Sequence, residues 1–296
     1  MPVPQRIAVT GASGLIGTAL VGHLKSEGHT VQRLVRRAPI SADEVQWDPQ
    51  TGVVDLEPLR GVDAVIHLAG VGVGDKRWSK KYKSEILNSR LLGTTAIAHA
   101  VAELKPQVFI SASAIGWYGE SGNRAVVETD RAGDDFLAAV CREWEAAADL
   151  AGDTRTVRIR TGLVLDPTGG ALGKMLPLFR LGLGGKMGNG KQWWSWITLH
   201  DQIRAIVFAL ENPISGPVNV TAPNPVTNQE FTSALARAMH RPALFPAPAI
   251  ALKLALGGFS SEILGSKKVI PHALQEAGFT WDYPHITEAL AQLVQD

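Results

Sequence analysis

One stretch restricts the fold of this chain more than any other. TGASGLIG, Thr10 to Gly17, follows the apolar run IAVT and opens the helix-like LIGTALVGHLKSEG. Its glycines, Gly11, Gly14 and Gly17, give the spacing G-x-x-G-x-x-G at a strand-to-helix junction. The first glycine permits the tight turn, the second lets backbone approach a pyrophosphate, and the third lets the helix pack on the sheet. A helix starting there offers free N–H groups and the positive end of its dipole to phosphates. A tight turn that binds nothing would use the first glycine alike, so the flanking strand and helix matter as much as the triplet.

The flanks are present, and the pattern repeats. VQRLV (Val31 to Val35), AVIHL (Ala64 to Leu68), VFISA (Val108 to Ala112) and TVRIR (Thr156 to Arg160) are short apolar runs of the kind buried in parallel sheets. Helical patterns such as SEILNSRLLGTTAIAHAVAEL lie between them. The expected fold is therefore α/β, a doubly wound parallel Rossmann sheet. VNVT (Val218 to Thr221) is a candidate last strand, and from Pro223 onward Pro- and Ala-rich helices suggest a smaller, mostly helical C-terminal lobe. The division expected is 1–165, with 193–221 returning to it, as the Rossmann domain, and 166–192 with 222–296 as the lobe.

Composition narrows the partners. The 296 residues carry a net charge of +1, so no basic field to recruit nucleic acid is expected. No apolar run is long enough to span a bilayer, and no membrane partner is expected. A single cysteine forms no intrachain disulfide and favours a reducing compartment. The opening MPVPQRIAVTG lacks the pattern of a signal peptide. These observations point to a cytoplasmic protein with a small-molecule substrate, as a monomer or a homodimer.

The end of the second strand bears on which dinucleotide. NAD sites place an acidic residue there for the ribose 2′-hydroxyl. Here Val35 is followed by Arg36 and Arg37, and guanidinium groups suit a 2′-phosphate through charge-assisted, bidentate hydrogen bonds. The expected cofactor is NADP.

TGASGLIG, the HLAG of His67 to Gly70 and SASAIGWYG from Ser111 to Gly119 together resemble the extended short-chain dehydrogenase/reductases of the nucleotide-sugar epimerase/dehydratase kind. SRLLGTT, FLAAVCREWEAAA, RTGLVL, GLGGKMGNGKQWWSWI and KKVIPHALQEAGFTWDYP resemble an atypical branch, often labelled "epimerase family" or "cell-division inhibitor-like". That resemblance covers essentially the whole chain. It implies a Rossmann domain with NADP and a small C-terminal domain of undefined function. The expected cofactor contacts are Gly11, Ser13, Gly14, Leu15, Ile16, Gly17, Val35, Arg36, Arg37, Leu68, Ala69, Gly70, Glu85, Arg90 and Val164.

The chain departs from the resemblance at the reacting end. Ordinary members use Tyr-x-x-x-Lys on a helix, where the lysine lowers a phenol pKa of about 10 towards neutrality. Aligned through Glu145, Leu137 stands at the tyrosine position and Cys141 at the lysine position. Ser113 matches the family serine, with Ser111 a second candidate because SASAIGWYG is one residue longer than usual. Arg90 stands where an asparagine would, and its helix places Glu85 nearby as an acceptor. Ser113, Tyr118 and Arg90 are thus the candidate catalytic groups. Tyr118 is either a replacement acid or a loop tyrosine packed beneath the cofactor. Cys141 lies inside a helix beside Val140 and Trp144, where an apolar setting keeps a thiol protonated and inert.

Other motifs carry less. Gly185, Gly190 and Lys191 imitate a P-loop, but Gln192 follows where Ser or Thr must meet magnesium, and no strand precedes them. Lys186 and Lys191 are instead candidates to meet an anionic substrate. Trp193, Trp194 and Trp196 either floor a pocket or form core. The histidines show no metal-binding spacing, so no metal is expected; His67 is expected to be structural filling. No G-x-S-x-G elbow is present. Two functions fit these observations. One is an NADP(H)-binding oxidoreductase or epimerase-like protein acting on a small polar or nucleotide-linked substrate. The other is a non-catalytic NADP(H)-binding regulator or scaffold.

Overall fold

The computed structural model describes residues 3–295. The chain runs β1 (Arg6–Thr10), α1 (Leu15–Ser26), β2 (Thr30–Val35), β3 (Glu44–Asp48), β4 (Val53–Val54) and β5 (Ala64–His67). The long α2 (Lys80–Leu104) leads to β6 (Val108–Ala114), β7 (Ala125–Val126), α3 (Phe136–Ala148) and β8 (Arg155–Thr161). Then come β9 (Leu163–Asp166), α4 (Gly170–Arg180), β10 (Trp193–Trp194), β11 (Trp196–Thr198), α5 (Leu199–Glu211) and β12 (Gly216–Val220). The last part holds β13 (Val226–Thr227), α6 (Asn228–Ala238), α7 (Ala249–Leu256), α8 (Ser260–Leu264), β14 (Lys268–Val269), α9 (His272–Glu276) and α10 (Ile286–Gln295).

Eight strands form the main sheet in the order β12-β8-β6-β5-β1-β2-β3-β4. All pairings are parallel except β3 with β4. This is the doubly wound α/β sheet that the apolar runs imply. Ile7, Ala8 and Val9 of β1 are at most 1% exposed, because helices cover both faces of the sheet. On one face α1 and α5 pack Leu20, Leu24, Ile203 and Ile206 against Ile7, Val9 and Ile110. On the other, Ile97 and Val101 of α2 meet Val65 and Phe109. The chain leaves β1 towards β2 and later crosses back to β5, so the sheet's switch point lies between β1 and β5. That is where open α/β sheets collect ligands.

The last strand spans Gly216–Val220 and pairs with β8, close to the Val218 to Thr221 expected. Strand β3 escaped the sequence reading, since EVQWD alternates and carries two acids instead of forming an apolar run. A further cluster joins Leu172, Leu176 and Phe179 of α4 to Phe231, Leu235, Leu290, Leu165 and Trp196. This cluster packs helices α4, α6 and α10 against β9 and β11. Among the described residues, no helix is long and apolar enough to cross a membrane.

Candidate functional site

The glycine turn is forced by its neighbours. Gly11 has φ +68°, and a Cβ there would lie 2.7 Å from the Leu68 carbonyl carbon. A Cβ on Gly17 would lie 2.1 Å from the Gly11 oxygen. A side chain on Gly11 would push the turn off the end of β5, and one on Gly17 would push α1 off the turn. Thr10 ties the same edge together: its hydroxyl oxygen accepts from the Leu68 and Ala69 N–H groups at 3.1 and 3.3 Å and lies 2.7 Å from His67 Nδ1. His67 is fully buried, and burial pushes its pKa down to about 3, so the ring is neutral and fills the core.

Helix α1 begins at Gly14 without a side-chain cap. Its first-turn N–H groups, those of Leu15, Ile16 and Gly17, have no intrahelical acceptor. Ser13 and Gly14 are exposed beside them. The uncapped end therefore sits at the switch point with its dipole directed outward. Leu15 lies under the turn that starts α4, where a Cβ on Gly169 would come within 3.1 Å of Leu15 Cδ1. Val164 is half-buried and packs against the first core.

At the end of β2, past half-buried Val35, the two arginines part company. Arg37 is held by Glu44 in a bidentate pair, Nη1 to Oε2 at 2.7 Å and Nη2 to Oε1 at 2.6 Å. The hydrogen bonds from Arg37 hold the Glu44 carboxyl down to about 2. Arg33 is likewise paired, with Asp43. Arg36 is exposed and makes no hydrogen bond or ion pair with any described residue. The cooperation expected of the two guanidinium groups is thus reduced to Arg36, because Arg37 is already occupied.

Beyond β5, Leu68 and Ala69 are half-buried and Gly70 is exposed. Arg90, on α2, leans over Gly70, whose Cβ position is 3.5 Å from the Arg90 Cζ. Its Nη1 donates to the carbonyls of Val71 at 2.9 Å and Ile86 at 3.1 Å, and its guanidinium stacks 4.7 Å from the Trp144 ring centre. Burial lowers its pKa from the ordinary arginine value. Among the described residues, Glu85 forms no ion pair with it, and Arg90 Nε and Nη2 have no partner.

Ser113 and Tyr118 belong to a buried polar network. Ser113, 3% exposed, donates to Glu145 Oε1 at 2.6 Å. Arg160 grips the same carboxylate through Nε (2.8 Å) and Nη2 (2.9 Å). Its Nη1 donates to Tyr118 Oη at 3.0 Å and to the Glu128 carbonyl at 3.1 Å. Tyr118 donates onward to Asn219 Oδ1 at 2.7 Å. Burial raises the Tyr118 pKa to about 12 against the pull of Arg160. Both hydroxyl hydrogens are therefore committed inside the protein, which is not the arrangement expected of a replacement acid. Ser111 is fully buried as well.

The network's charged members, Glu145 and Arg160, were absent from the sequence-based candidates. The signal was available: Leu137, Cys141 and Glu145 fall at i, i+4 and i+8 of α3, one buried stripe. A carboxylate on such a stripe needs a partner. Cys141 is 3% exposed, and its thiol, 3.7 Å from the Ala114 carbonyl, is raised by burial to about 12. It packs with Leu137 under Gly116.

The remaining motifs resolve structurally. The Gly185 Cβ position is 2.1 Å from the Phe245 oxygen, so this glycine serves chain packing and not a phosphate cradle. Trp196 is fully buried, whereas Trp193 and Trp194 are half-buried. Lys186 and Lys191 make no side-chain hydrogen bond or ion pair within the described residues. His200, Asp201 and Asp282 cluster within 4.8 Å, which no sequence spacing announced. Arg204 lies 2.8 Å from Asp201 and 3.2 Å from Asp282 and balances that charge. Two surface hollows, of about 520 and 420 Å³, are lined by residues of α6, α10 and the loops beside them, none belonging to the glycine turn.

A doubly wound sheet with a glycine turn and an uncapped helix at its switch point defines a Rossmann-type α/β protein. The NAD dependent epimerase/dehydratase family matches residues 7–221, and a domain of unknown function (DUF1731) matches residues 247–293. The chain belongs to the NAD dependent epimerase/dehydratase family. It is 45% identical over 290 residues to an epimerase family protein of Mycobacterium leprae, covering 96% of this chain and 94% of that one. It is 38% identical over 301 residues to the chloroplastic SDR39U1 homologue of Arabidopsis thaliana, covering 98% and 86%. The crystal structure of human epimerase family protein SDR39U1 with NADPH superposes with a TM-score of 0.91 at 33% identity, covering 98% and 99%.

Proposed function

We propose that this chain binds NADP(H) at the switch point and works as an oxidoreductase or epimerase-like protein on a small polar or nucleotide-linked substrate. The observation that carries the reading is the conjunction of an uncapped α1 end with Arg36, a cation at the end of β2 that has no partner among the described residues. The cradle is one that a Cβ on Gly11 or Gly17 would fill. The human relative solved with NADPH supports the same choice of cofactor.

In this reading the N–H groups of Ser13, Leu15, Ile16 and Gly17 face the pyrophosphate across Gly14, whose own N–H donates to the Gly11 carbonyl at 3.0 Å and whose missing side chain leaves room, and Arg36 faces the 2′-phosphate. Val35, Leu68, Ala69, Gly70, Glu85 and Val164 flank the rest of the site. The bound nicotinamide would supply hydride transfer. Arg90 presents its free Nε and Nη2 donors to an anionic oxygen, while Ser113 and Tyr118 act as positioning residues. The division at 1–165 with 193–221, against 166–192 with 222–296, belongs to this proposal, with the cluster around Trp196 as its seam. So does a cytoplasmic location, on the strength of the single cysteine.

A specific observation favours the second reading, a regulator that keeps the cofactor without chemistry. Both candidate hydroxyls are bonded internally, and buried Cys141 offers no cation to a phenol. The test is nicotinamide absorbance with NADPH and a panel of carbonyl compounds and sugar nucleotides. Turnover abolished by Arg90→Ala supports the enzyme. Tight NADPH binding with no turnover on any panel member leaves the regulator.

A further inference from the structure

The C-terminal lobe carries an apolar element with nothing over it. Helix α7, AIALKLAL, has no buried residue. Ile250 and Leu254, one turn apart on one face, are 74% and 72% exposed. The preceding loop adds Leu244 and Phe245, 75% and 58% exposed. That loop runs beside the chain after α4, because Phe245 N donates to the Gly184 carbonyl and Ala247 N to that of Lys186. Leu181, 73% exposed, lies on this neighbouring stretch. An exposed apolar face rimmed by polar and charged side chains, here including Lys253 of the same helix, marks an interaction site.

Charge indicates what covers it. The whole chain is nearly neutral, yet cations crowd the segments beside this face; Asp75 and Glu85 bound one of these segments and Glu230 and Glu262 another, Glu262 of α8 being paired with Lys267. Residues 167–200 contain four Lys or Arg, residues 231–261 three, and residues 76–84 five, which is 12 of the chain's 29 with no Asp or Glu among them. The basic segment 76–84 adjoins the C-terminal end of α7: the Gly257 Cβ position is 2.8 Å from Arg77 Nε, and that of Gly258 is 3.2 Å from the Trp78 ring. Lys174 of α4 reaches the Gly74 carbonyl beside it at 3.4 Å. None of these twelve cations has an ion pair among the described residues. Two copies meeting through this face would set cations against cations.

We propose that this face docks on an anionic lipid bilayer surface. The α7 face and Phe245 enter the headgroup boundary, and the flanking Lys and Arg meet lipid phosphates. Chain-wide neutrality conceals this arrangement, which is why composition predicted no membrane partner. The proposal is independent of the cofactor.

The test is co-sedimentation of the full chain with phosphatidylcholine vesicles, with and without phosphatidylglycerol. Binding is expected only to the anionic vesicles and should weaken as salt shortens the Debye length. Lys80→Ala with Lys81→Ala should weaken it roughly fivefold per cation. Ile250→Ser with Leu254→Ser should weaken it at least about tenfold. All four positions are exposed, and circular dichroism checks the fold of each variant. No binding to anionic vesicles, equal binding to neutral ones, or indifference to either pair overturns the proposal. So does a solution dimer that Ile250→Ser with Leu254→Ser converts to monomer, since a second copy would then cover the face.

Discussion

Replacing Glu145 by Gln isolates the charge at the centre of the buried network. The amide keeps an oxygen for the Ser113 hydroxyl but removes the carboxylate that, alone among the described residues, pairs with Arg160, whose side chain is 3% exposed. Burial opposes the Arg160 charge, yet the hydrogen bonds and charge of Glu145 prevail and hold its pKa above the ordinary value. In the variant that cation stays buried, still donating to Tyr118 and the Glu128 carbonyl, without a counter-charge. Breaking one side of a buried pair costs about 3–5 kcal/mol. For a chain of this size that corresponds to a fall in Tm on the order of 10 °C. Denaturant unfolding and calorimetry read it directly. The double replacement Glu145→Leu with Arg160→Leu removes both charges and should lose less than Glu145→Gln alone. A Glu145→Gln protein within about 1 kcal/mol of wild type, or a double variant worse than the single, would refute the account of this network.

The buried histidine makes stability depend on pH. His67 has a folded pKa of about 3, against about 6.5 in the unfolded chain. Its contribution is therefore complete above 6.5 and is lost as pH falls towards 3, because the unfolded chain takes up the proton first. The slope approaches about 1.4 kcal/mol per pH unit, and a His67→Asn variant should lack it between pH 6.5 and 5.5. Cys141→Ala should keep cofactor binding and cost only a modest amount of stability. The native thiol, raised to about 12, should react with a thiol reagent only when the protein unfolds. Rapid labelling slowed by bound NADPH would instead mark an open thiol at the site.

Where a side chain's role follows from local pattern, the sequence was enough to read it. The strands β1, β5 and β6 are covered by helices on both sides and so appear as unbroken apolar runs. Gly11 and Gly17 announce their turn because no other residue fits there. Helix α3 is capped by Asp135, whose carboxylate accepts from Ala138 N at 2.8 Å. What stayed hidden depends on distant partners. Arg36 and Arg37 look alike until β3 brings Glu44 beside one of them. Ser113 and Tyr118 look like free hydroxyls until Glu145 and Asn219, 32 and 101 residues further along, take their hydrogens. The positive face around α7 vanishes in the average because carboxylates elsewhere balance the total.

The most direct test of the central claim is equilibrium titration of the protein with NADPH and with NADH, followed by nicotinamide fluorescence, in wild type and in Arg36→Ala. Charge-assisted bonds from Arg36 to a 2′-phosphate predict NADPH binding on the order of tenfold to a hundredfold tighter than NADH. Arg36→Ala should lose most of that preference and keep the NADH affinity. Equal affinity for the two cofactors in wild type, or a preference untouched by Arg36→Ala, would contradict the assignment.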